Sequence, residues 1–208
     1  VQTCALPIYT ILAYDNAGQM LAQTELIFGM LCAAETNERM QALQEQVMPL
    51  LSAHRDKIRL DEKLFARVKD VYDRRASLGL DAEQSRLLRK TYDAFVRSGA
   101  LLDAGQKARL KEINGELSLT AVKFGNNILA ENNNFALELT ADDLEGLPSG
   151  VRDAAREKAQ AMGKGDKWVF TLHKPSLIPF LTYSAKRDLR EKIYKAYLNR
   201  CNNGDQYD

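Results

Sequence analysis

The chain has 208 residues, and its 29 lysines and arginines against 28 aspartates and glutamates give a formal net charge of +1. A chain of this mass buries roughly 70% of the surface that its unfolded form exposes, enough for one sizeable core or two small ones without disulfides. The balanced, interspersed charges exclude a binder of the phosphate backbone, so we expect no nucleic-acid partner. With 45% hydrophobic and 27% charged residues, a disordered or collagen-like chain is also excluded.

No apolar run approaches the roughly 18 residues of a membrane span, so we expect a soluble protein with no membrane partner. The three cysteines, Cys4, Cys32 and Cys201, form no Cys-x-x-Cys pair, and their odd number prevents complete pairing within the chain. This cysteine usage favours a reducing compartment, and we expect a cytoplasmic protein.

The two ends of the chain indicate a piece of a longer protein. Residues 1–8 lack the basic start and long apolar core of a signal peptide and are similar to a translated sequencing adapter. We therefore predict a non-native leader over 1–8, with the native sequence beginning near Tyr9. At the other end, Asp208 follows the turn-like stretch Asn202–Gly204 with no closing helix.

Residues 9–134 are predicted to form an N-terminal helical region. Two stretches of apolar residues at helical spacing separate near residues 36–38. They comprise Leu21, Leu26, Phe28 and Leu31, then Met40, Leu43, Val47, Leu50 and Leu51. Pro49 lies inside the second stretch and predicts a kink or a break. A third helix follows Asp61 and is expected to end around residues 77–79.

Two well-marked helices complete this region. Asp81 with Gln84 is a capping-box pattern that opens a fourth helix, which ends at Gly99. Asp103 with Gln106 opens a fifth helix of about seven turns, which ends near residues 132–134. The fifth helix carries apolar residues three or four positions apart: Leu110, Ile113, Leu117, Ala121, Phe124 and Ile128.

Residues 135–208 are predicted as short strands, a helix and a loop. Alternating residues at Phe135–Leu139 predict one strand, and Trp168–Leu172 predict a second that pairs with it. Between them, Thr140 with Asp143 caps a short turn, and a sixth helix over residues 148–162 stops at Gly163. The sequence therefore predicts a mainly α fold, a multi-helix domain with a small two-stranded β element.

The last predicted elements are a loop and a helix. A long loop containing Pro175 and Pro179 is expected to lead to a basic amphipathic helix, Lys186–Arg200. Its predicted apolar face consists of Leu189, Ile193, Tyr197 and Leu198. Asp188 and Glu191 interrupt its basic residues, which indicates a solvated face with local ion pairs instead of an anion-binding patch.

Zinc-binding patterns are absent from the sequence. The only two histidines, His54 and His173, belong to no His-Glu-x-x-His motif, and no close spacing relates them to Cys32 or Cys201. We interpret His54 as a structural residue on the apolar side of its helix, and His173 as a loop residue. The two thiols are expected to be buried and inert because neither has a nearby histidine or a helix N-terminus.

Other candidate sites have simpler structural explanations. Residues 163–165 form Gly-Lys-Gly without the third glycine of a phosphate-binding loop, so they predict a helix stop. Ser149 is not in a Gly-x-Ser-x-Gly elbow. The acidic residues Asp142, Asp143 and Glu145 are interpreted as helix caps and not as a catalytic carboxylate pair. We therefore predict no catalytic, cofactor-binding or metal-binding residue in this chain.

Several segments carry a resemblance to a known family. The block Trp168–Ser184, followed by Arg187–Arg200, resembles the peptidyl-dipeptidase branch of the thimet oligopeptidase family of zinc metallopeptidases. Upstream support comes from Leu64–Tyr72, Leu87–Arg97 and Arg109–Asn114. The resemblance runs from about Asp15 to Asp208, and the order and spacing of these segments make it specific.

The resemblance implies the N-terminal part of a bilobed, neurolysin-like peptidase that cleaves short peptides, releasing dipeptides from their C-termini. In this family, two histidines of His-Glu-x-x-His and a downstream glutamate hold zinc, and the motif glutamate activates the zinc-bound water. Those positions lie well C-terminal to the region that resembles this chain. We therefore expect zinc in the full-length parent, none bound by this fragment, and no activity of the fragment itself.

Two other functions stay open at this point. The chain could be a non-catalytic helical module that binds peptides or a protein partner, or a helical scaffold with no peptide affinity. If the peptidase interpretation is right, the helices form part of the wall of a channel between two lobes. Helices that normally pack on a missing lobe are expected to expose an apolar face and to self-associate.

Overall fold

The computed structural model describes residues 8–208. Its contacts divide the chain into two compact units, the first ending at Val122 and the second comprising Lys123–Asp208. The predicted fold class, mainly α with a small two-stranded β element, is confirmed. Over the described residues, no helix combines the length and the apolar character that crossing a lipid bilayer requires.

Five helices lie wholly in the first unit, and a sixth has residues in both units. They are α1 (Ile8–Asp15), α2 (Gln19–Ala34), α3 (Glu38–Arg59), α4 (Glu62–Asp73), α5 (Ala82–Arg97) and α6 (Ala104–Asn134). Local side chains define several starts: Asp61 accepts the N–H of Leu64, and Asp81 and Gln84 form the predicted capping box. Asp103 and Gln106 bond reciprocally at the start of α6 in the same way.

Of the kink or break predicted at Pro49, the break does not occur, because helix α3 is continuous there, although proline removes one hydrogen bond to the carbonyl of Glu45. Two predicted boundaries of the first unit are wrong. Helix α4 ends at Asp73, and the remainder of its predicted length is a 3₁₀ turn, Arg75–Ser77. Helix α1, which the periodicity beginning near Asp15 did not include, completes the unit.

The predicted leader 1–8 overlaps the described residues only at Ile8. Its side chain is 3% exposed and packs into the core of the first unit with Ile11. Residues 1–7 lie outside the described residues, so the non-native origin of this segment stays a prediction.

The core of the first unit is formed by α1, α4 and α5. Its buried side chains are Ile8, Ile11, Phe65, Val68, Val71, Leu88, Phe95 and Ala100. Aromatic rings continue the packing, because Phe65 stacks on Phe95 with centroids 6.0 Å apart. The guanidinium of Arg59 lies 5.4 Å from the centroid of the Phe95 ring, within the range of a cation–π interaction.

Helices α2 and α6 expose several apolar side chains to solvent. No residue of α2 is buried. The stripe predicted on α6 also faces outward in part, since Leu117 is 65% exposed and Phe124 is 53% exposed. The exposed apolar face expected from the sequence is therefore present on these two helices.

The second unit surrounds a two-stranded sheet with helices. Its elements are β1 (Leu137–Leu139), α7 (Ser149–Ala161), β2 (Trp168–Phe170), α8 (Lys174–Tyr183) and α9 (Arg187–Leu198). The strands are antiparallel, with Leu137 opposite Phe170 and Leu139 opposite Trp168, which confirms the predicted pairing. The core comprises Leu137, Leu139, Leu144, Leu147, Ala155, Phe170, Leu172, Leu177, Phe180 and Ile193.

Two predictions in this unit are wrong. The segment with Pro175 and Pro179 is helix α8 and not a long loop. Pro175 stands in the first turn, where a backbone N–H has no partner within the helix, and burial of Leu177 and Phe180 offsets the bond that Pro179 removes. Leu198 is 59% exposed, because nine residues after Leu189 at 100° each place it on the opposite side of α9.

Candidate functional site

The two histidines lie in different units and in exposed positions. His54 on α3 is exposed, so its predicted structural place on an apolar helix side is wrong. His173 immediately precedes α8, and its Nε2 lies 3.3 Å from Oδ1 of Asn133. Within residues 8–208, no group of three or more His, Cys, Asp or Glu residues is placed to hold a metal ion. The described residues therefore do not fit a zinc site.

The described thiols, Cys32 and Cys201, are free and half-buried, where the sequence predicted full burial. Burial raises the pKa of both, and the nearby carboxylates of Glu131 and Asp208 raise the pKa of Cys201 further. A raised pKa lowers the fraction of nucleophilic thiolate at neutral pH, as expected for inert cysteines. Cys4 lies outside the described residues.

One residue of the acidic cluster after β1, Asp143, acts as a cap, as predicted. The Asp143 carboxylate accepts hydrogen bonds from the backbone N–H of Thr140 at 2.9 Å and from its hydroxyl at 2.8 Å. These bonds lower the pKa of Asp143 because they stabilise its ionised form.

Ser149 is the first residue of α7, and Gly163, with φ of 69°, follows the end of that helix.

Ion pairs account for several of the basic residues in the second unit. Lys164 and Lys167 both bind the Glu138 carboxylate on β1 and lower its pKa to about 2. On α9, Lys195 pairs with Glu191 at 2.6 Å, one of the local ion pairs predicted for this helix. The pairs of Lys164 and Lys167 therefore attach the loop after α7 to the sheet.

A cavity of about 390 Å³ lies among α7, β2 and the beginning of α8. Its lining consists of Gly150, Val151, Ala154, Ala155, Lys158, Val169, Phe170, Thr171, His173, Pro175 and Ser176. The small residues of α7 leave this space open, and a Cβ on Gly150 would meet no atom within 4 Å. Val169 and Phe170 supply its apolar floor, and Lys158 and His173 are its titratable residues.

The cavity adjoins strand β2, whose residues are well covered. Strand β2 pairs with β1, and Val169 and Phe170 are each 1% exposed, so this part of its backbone is shielded from solvent. Thr171 follows β2, and its N–H donates to Oγ of Ser176 at 3.0 Å, which ties α8 to the strand. An apolar cavity of this size can accept one side chain of a bound peptide.

A buried carboxylate organises the end of the second unit. Glu131 on α6 is 8% exposed and accepts the backbone N–H of Cys201 and the side-chain amide of Asn203, both at 2.6 Å. Asn132 beside it accepts Nη1 of Arg200 at 3.0 Å. Sequence reasoning assigned residues 202–204 only to a turn, because no local pattern relates them to a helix about 70 residues earlier.

The sequence of the chain is similar to those of known peptidases. No family model matches the chain. The chain is 34% identical over 200 residues to the dipeptidyl carboxypeptidase of Escherichia coli (strain K12), covering 96% of this chain and 29% of the relative. This similarity supports the thimet oligopeptidase family that the sequence resembles. The dipeptidyl carboxypeptidase of Salmonella typhimurium is 35% identical over 202 residues, again with 96% of this chain and 29% of the relative covered.

Over most of the chain, a relative with a different name is less similar. Oligopeptidase A of Salmonella typhimurium is 26% identical over 197 residues, which cover 91% of this chain and 29% of the relative. The higher identities to the two dipeptidyl carboxypeptidases agree with the peptidyl-dipeptidase branch recognised in Trp168–Ser184, which folds as β2 and α8. The chain spans about 29% of the length of each of these relatives.

Proposed function

We propose that this chain is part of a longer zinc-dependent metallopeptidase that cleaves short peptides and releases dipeptides from their C-termini. The observation that carries this proposal is the 34% identity to a dipeptidyl carboxypeptidase over 96% of the chain. We place the zinc ligands outside these 208 residues, in the remainder of the enzyme. By itself, the chain is then inactive, and we propose a cytoplasmic location for the parent.

In this proposal, the two units contribute to the wall of a substrate channel in a bilobed enzyme. Such a wall must be rigid to exclude folded proteins. Rigidity is supported by the capping box of α5, the reciprocal bonds at the start of α6 and the aromatic packing around Phe95. The cavity beside β2 would receive a side chain of a bound peptide.

The gene sequence beyond Asp208 provides the first test. A His-Glu-x-x-His motif with a downstream glutamate supports the peptidase, since this set supplies three zinc ligands and a general base. A stop codon soon after Asp208 contradicts the peptidase and favours the alternative, a helical module that binds peptides without cleaving them.

An activity assay on the longer protein provides the second test. A blocked tetrapeptide with a free C-terminus is expected to release its C-terminal dipeptide, and the matching C-terminal amide serves as control. A zinc chelator abolishes release, and added zinc restores it. The same assay on the 208-residue chain with zinc is expected to give no turnover, and zinc-dependent turnover at a stoichiometric active fraction would contradict the assignment of the ligands to the remainder.

A further inference from the structure

A concavity of about 510 Å³ in the first unit is lined by arginines. Its lining residues are Tyr72, Arg75, Ala82, Ser85, Arg86 and Arg89. Three arginines thus line one space, and no carboxylate is among the lining residues. We call this concavity the arginine site.

Two elements of different kinds build the arginine site. Helix α5 supplies Arg86 and Arg89, which are three residues apart and therefore share a helix face with Ala82 and Ser85. Arg75 comes from the 3₁₀ turn after α4, a helix that packs against α5. Ala82 and Ser85 are short, so the face of α5 between the arginines stays open.

Arg75 is held in place by Tyr72. Its Nη1 donates to the Tyr72 carbonyl at 2.8 Å, and its guanidinium carbon lies 4.3 Å from the centroid of the Tyr72 ring. That ring stacks in parallel on Tyr92, with centroids 3.9 Å apart and an interplanar angle of 5°. Arg75 therefore loses less side-chain freedom on binding a ligand than an unrestrained surface arginine does.

The arginines of this site differ from the basic residues around them. On α4 and after it, Lys69 pairs with Asp73 at 2.5 Å and Arg74 pairs with Asp70 at 3.1 Å. Over residues 8–208, none of the three arginines lining the site forms an ion pair with a carboxylate. Their positive charge is thus available to a ligand.

The chemistry of the arginine site favours phosphate. Planar guanidinium forks match the oxygens of phosphate in bidentate hydrogen bonds, and three of them complement an anion of more than one charge. The Tyr92 ring and the Arg75 guanidinium both lie too close to the Tyr72 ring to fit on the same face of it. Each therefore covers one of its two faces. No face of Tyr72 remains for a nucleobase, which favours a ligand made of phosphoryl groups alone.

We propose that the arginine site binds a small soluble anion with two or more phosphoryl groups. This is a binding function separate from peptide cleavage, and it depends on none of the residues assigned to the peptide cavity. Pyrophosphate is the probe of choice, because the space exceeds one phosphate group and pyrophosphate can engage several forks at once.

The experiment is calorimetric titration of the 208-residue chain with pyrophosphate at fixed ionic strength. We expect one saturable site. Arg86→Gln and Arg89→Gln are each expected to weaken binding by about tenfold, the effect of losing a hydrogen bond to a charged group. Arg75→Lys keeps the charge but is also expected to weaken binding, because lysine has neither the fork nor the stacked plane.

Arg97→Gln is the matched control. It removes the same charge from α5, eight residues or about 12 Å along the helix from Arg89, and Arg97 does not line the site. We expect its affinity for pyrophosphate to stay within twofold of the unmodified chain. An equal loss in Arg97→Gln would overturn the proposal, since it indicates diffuse attraction to a basic surface.

Three further results would also overturn it. The first is no saturable binding by a chain whose circular dichroism shows it folded. The second is orthophosphate binding as tightly as pyrophosphate, which contradicts a site for two phosphoryl groups. The third is binding to vesicles containing phosphatidic acid without binding to free pyrophosphate, which identifies a lipid surface as the ligand. None of these measurements depends on peptide hydrolysis.

Discussion

The carboxylate of Glu131 accepts the backbone N–H of Cys201 at 2.6 Å, across 70 positions of the sequence. The other carboxylate oxygen accepts the side-chain amide of Asn203, so one buried acid holds two points of the same turn. A buried carboxylate is tolerated when such donors replace water. Glu131 is therefore one of the α6 residues that fix the last turn of the second unit, together with Asn127 and Asn132.

Replacing Glu131 tests this role. Glu131→Ala leaves the Cys201 N–H and the Asn203 amide without their acceptor, and we expect a loss of about 1–3 kcal/mol in the free energy of unfolding. Urea denaturation measures the loss, and hydrogen exchange is expected to be faster at Cys201. Glu157→Ala, at an exposed position on α7, is the control and should change stability by less than about 0.5 kcal/mol. Equal effects of the two variants would contradict the assignment.

The backbone of Cys201 supplies a second prediction. Its φ is 57°, in the left-handed region where a residue with a Cβ is less stable than glycine by about 1–2 kcal/mol. Cys201→Gly is expected to be more stable than Cys201→Val by about that amount, since a β-branched side chain suits this conformation least. Urea denaturation of both variants checks the order, and a more stable valine variant would show that this φ is not adopted in solution.

Glu138 gives the chain a predicted dependence on pH. Lys164 and Lys167 lower its pKa to about 2 from 4.5, so the folded state binds a proton less readily than the unfolded state. The stabilisation from Glu138 is therefore complete above pH 4.5 and is lost as the pH falls from 4.5 towards 2. Urea denaturation across this range should show a smaller acid-side decrease for Glu138→Gln than for the unmodified chain.

Two observations check that interpretation. The difference in stability between Glu138→Gln and the unmodified chain is expected to shrink as the pH falls towards 2, because the Glu138 carboxylate is then increasingly protonated. High salt should reduce their difference at pH 6, since the pairs are solvent-exposed and are screened. A constant difference from pH 6 to pH 2 would indicate that Glu138 contributes through packing and not through its charge.

Local signals in the sequence predicted much of the fold. The reciprocal bonds of Asp81 with Gln84 join residues three apart, so the pattern is complete within one turn. The pairing of β1 with β2 was also predictable, because alternating apolar residues flank a single helix. These features require no knowledge of distant residues.

Features that depend on tertiary packing were not predictable. Pro179 argued against a helix, yet burial of Phe180 in the core of the second unit stabilises α8 through it. No periodicity indicates that Arg75 lies beside Arg89, since the two come from a 3₁₀ turn and a helix. His54 shows the same limit: its helix was predicted, but not which side of the helix is covered.

The exposed face of α2 leads to a prediction about association. Leu26 and Met30 are one turn apart on the same face and are 65% and 63% exposed, with Ile27 exposed beside them. Apolar patches of this kind associate in water because association buries their surface. Sedimentation velocity over increasing concentration is expected to show reversible association of the 208-residue chain.

Charged substitutions on α2 separate association from folding. The double variant Leu26→Glu, Met30→Glu is expected to stay monomeric, because two like charges on the patch oppose its burial in a contact. Its circular dichroism should be unchanged, since neither side chain belongs to a core. Leu198→Glu, at an equally exposed leucine of α9 in the second unit, is the control and should associate as the unmodified chain does. A monomeric Leu198→Glu variant, or association that survives the double substitution, would place the contact elsewhere than on α2.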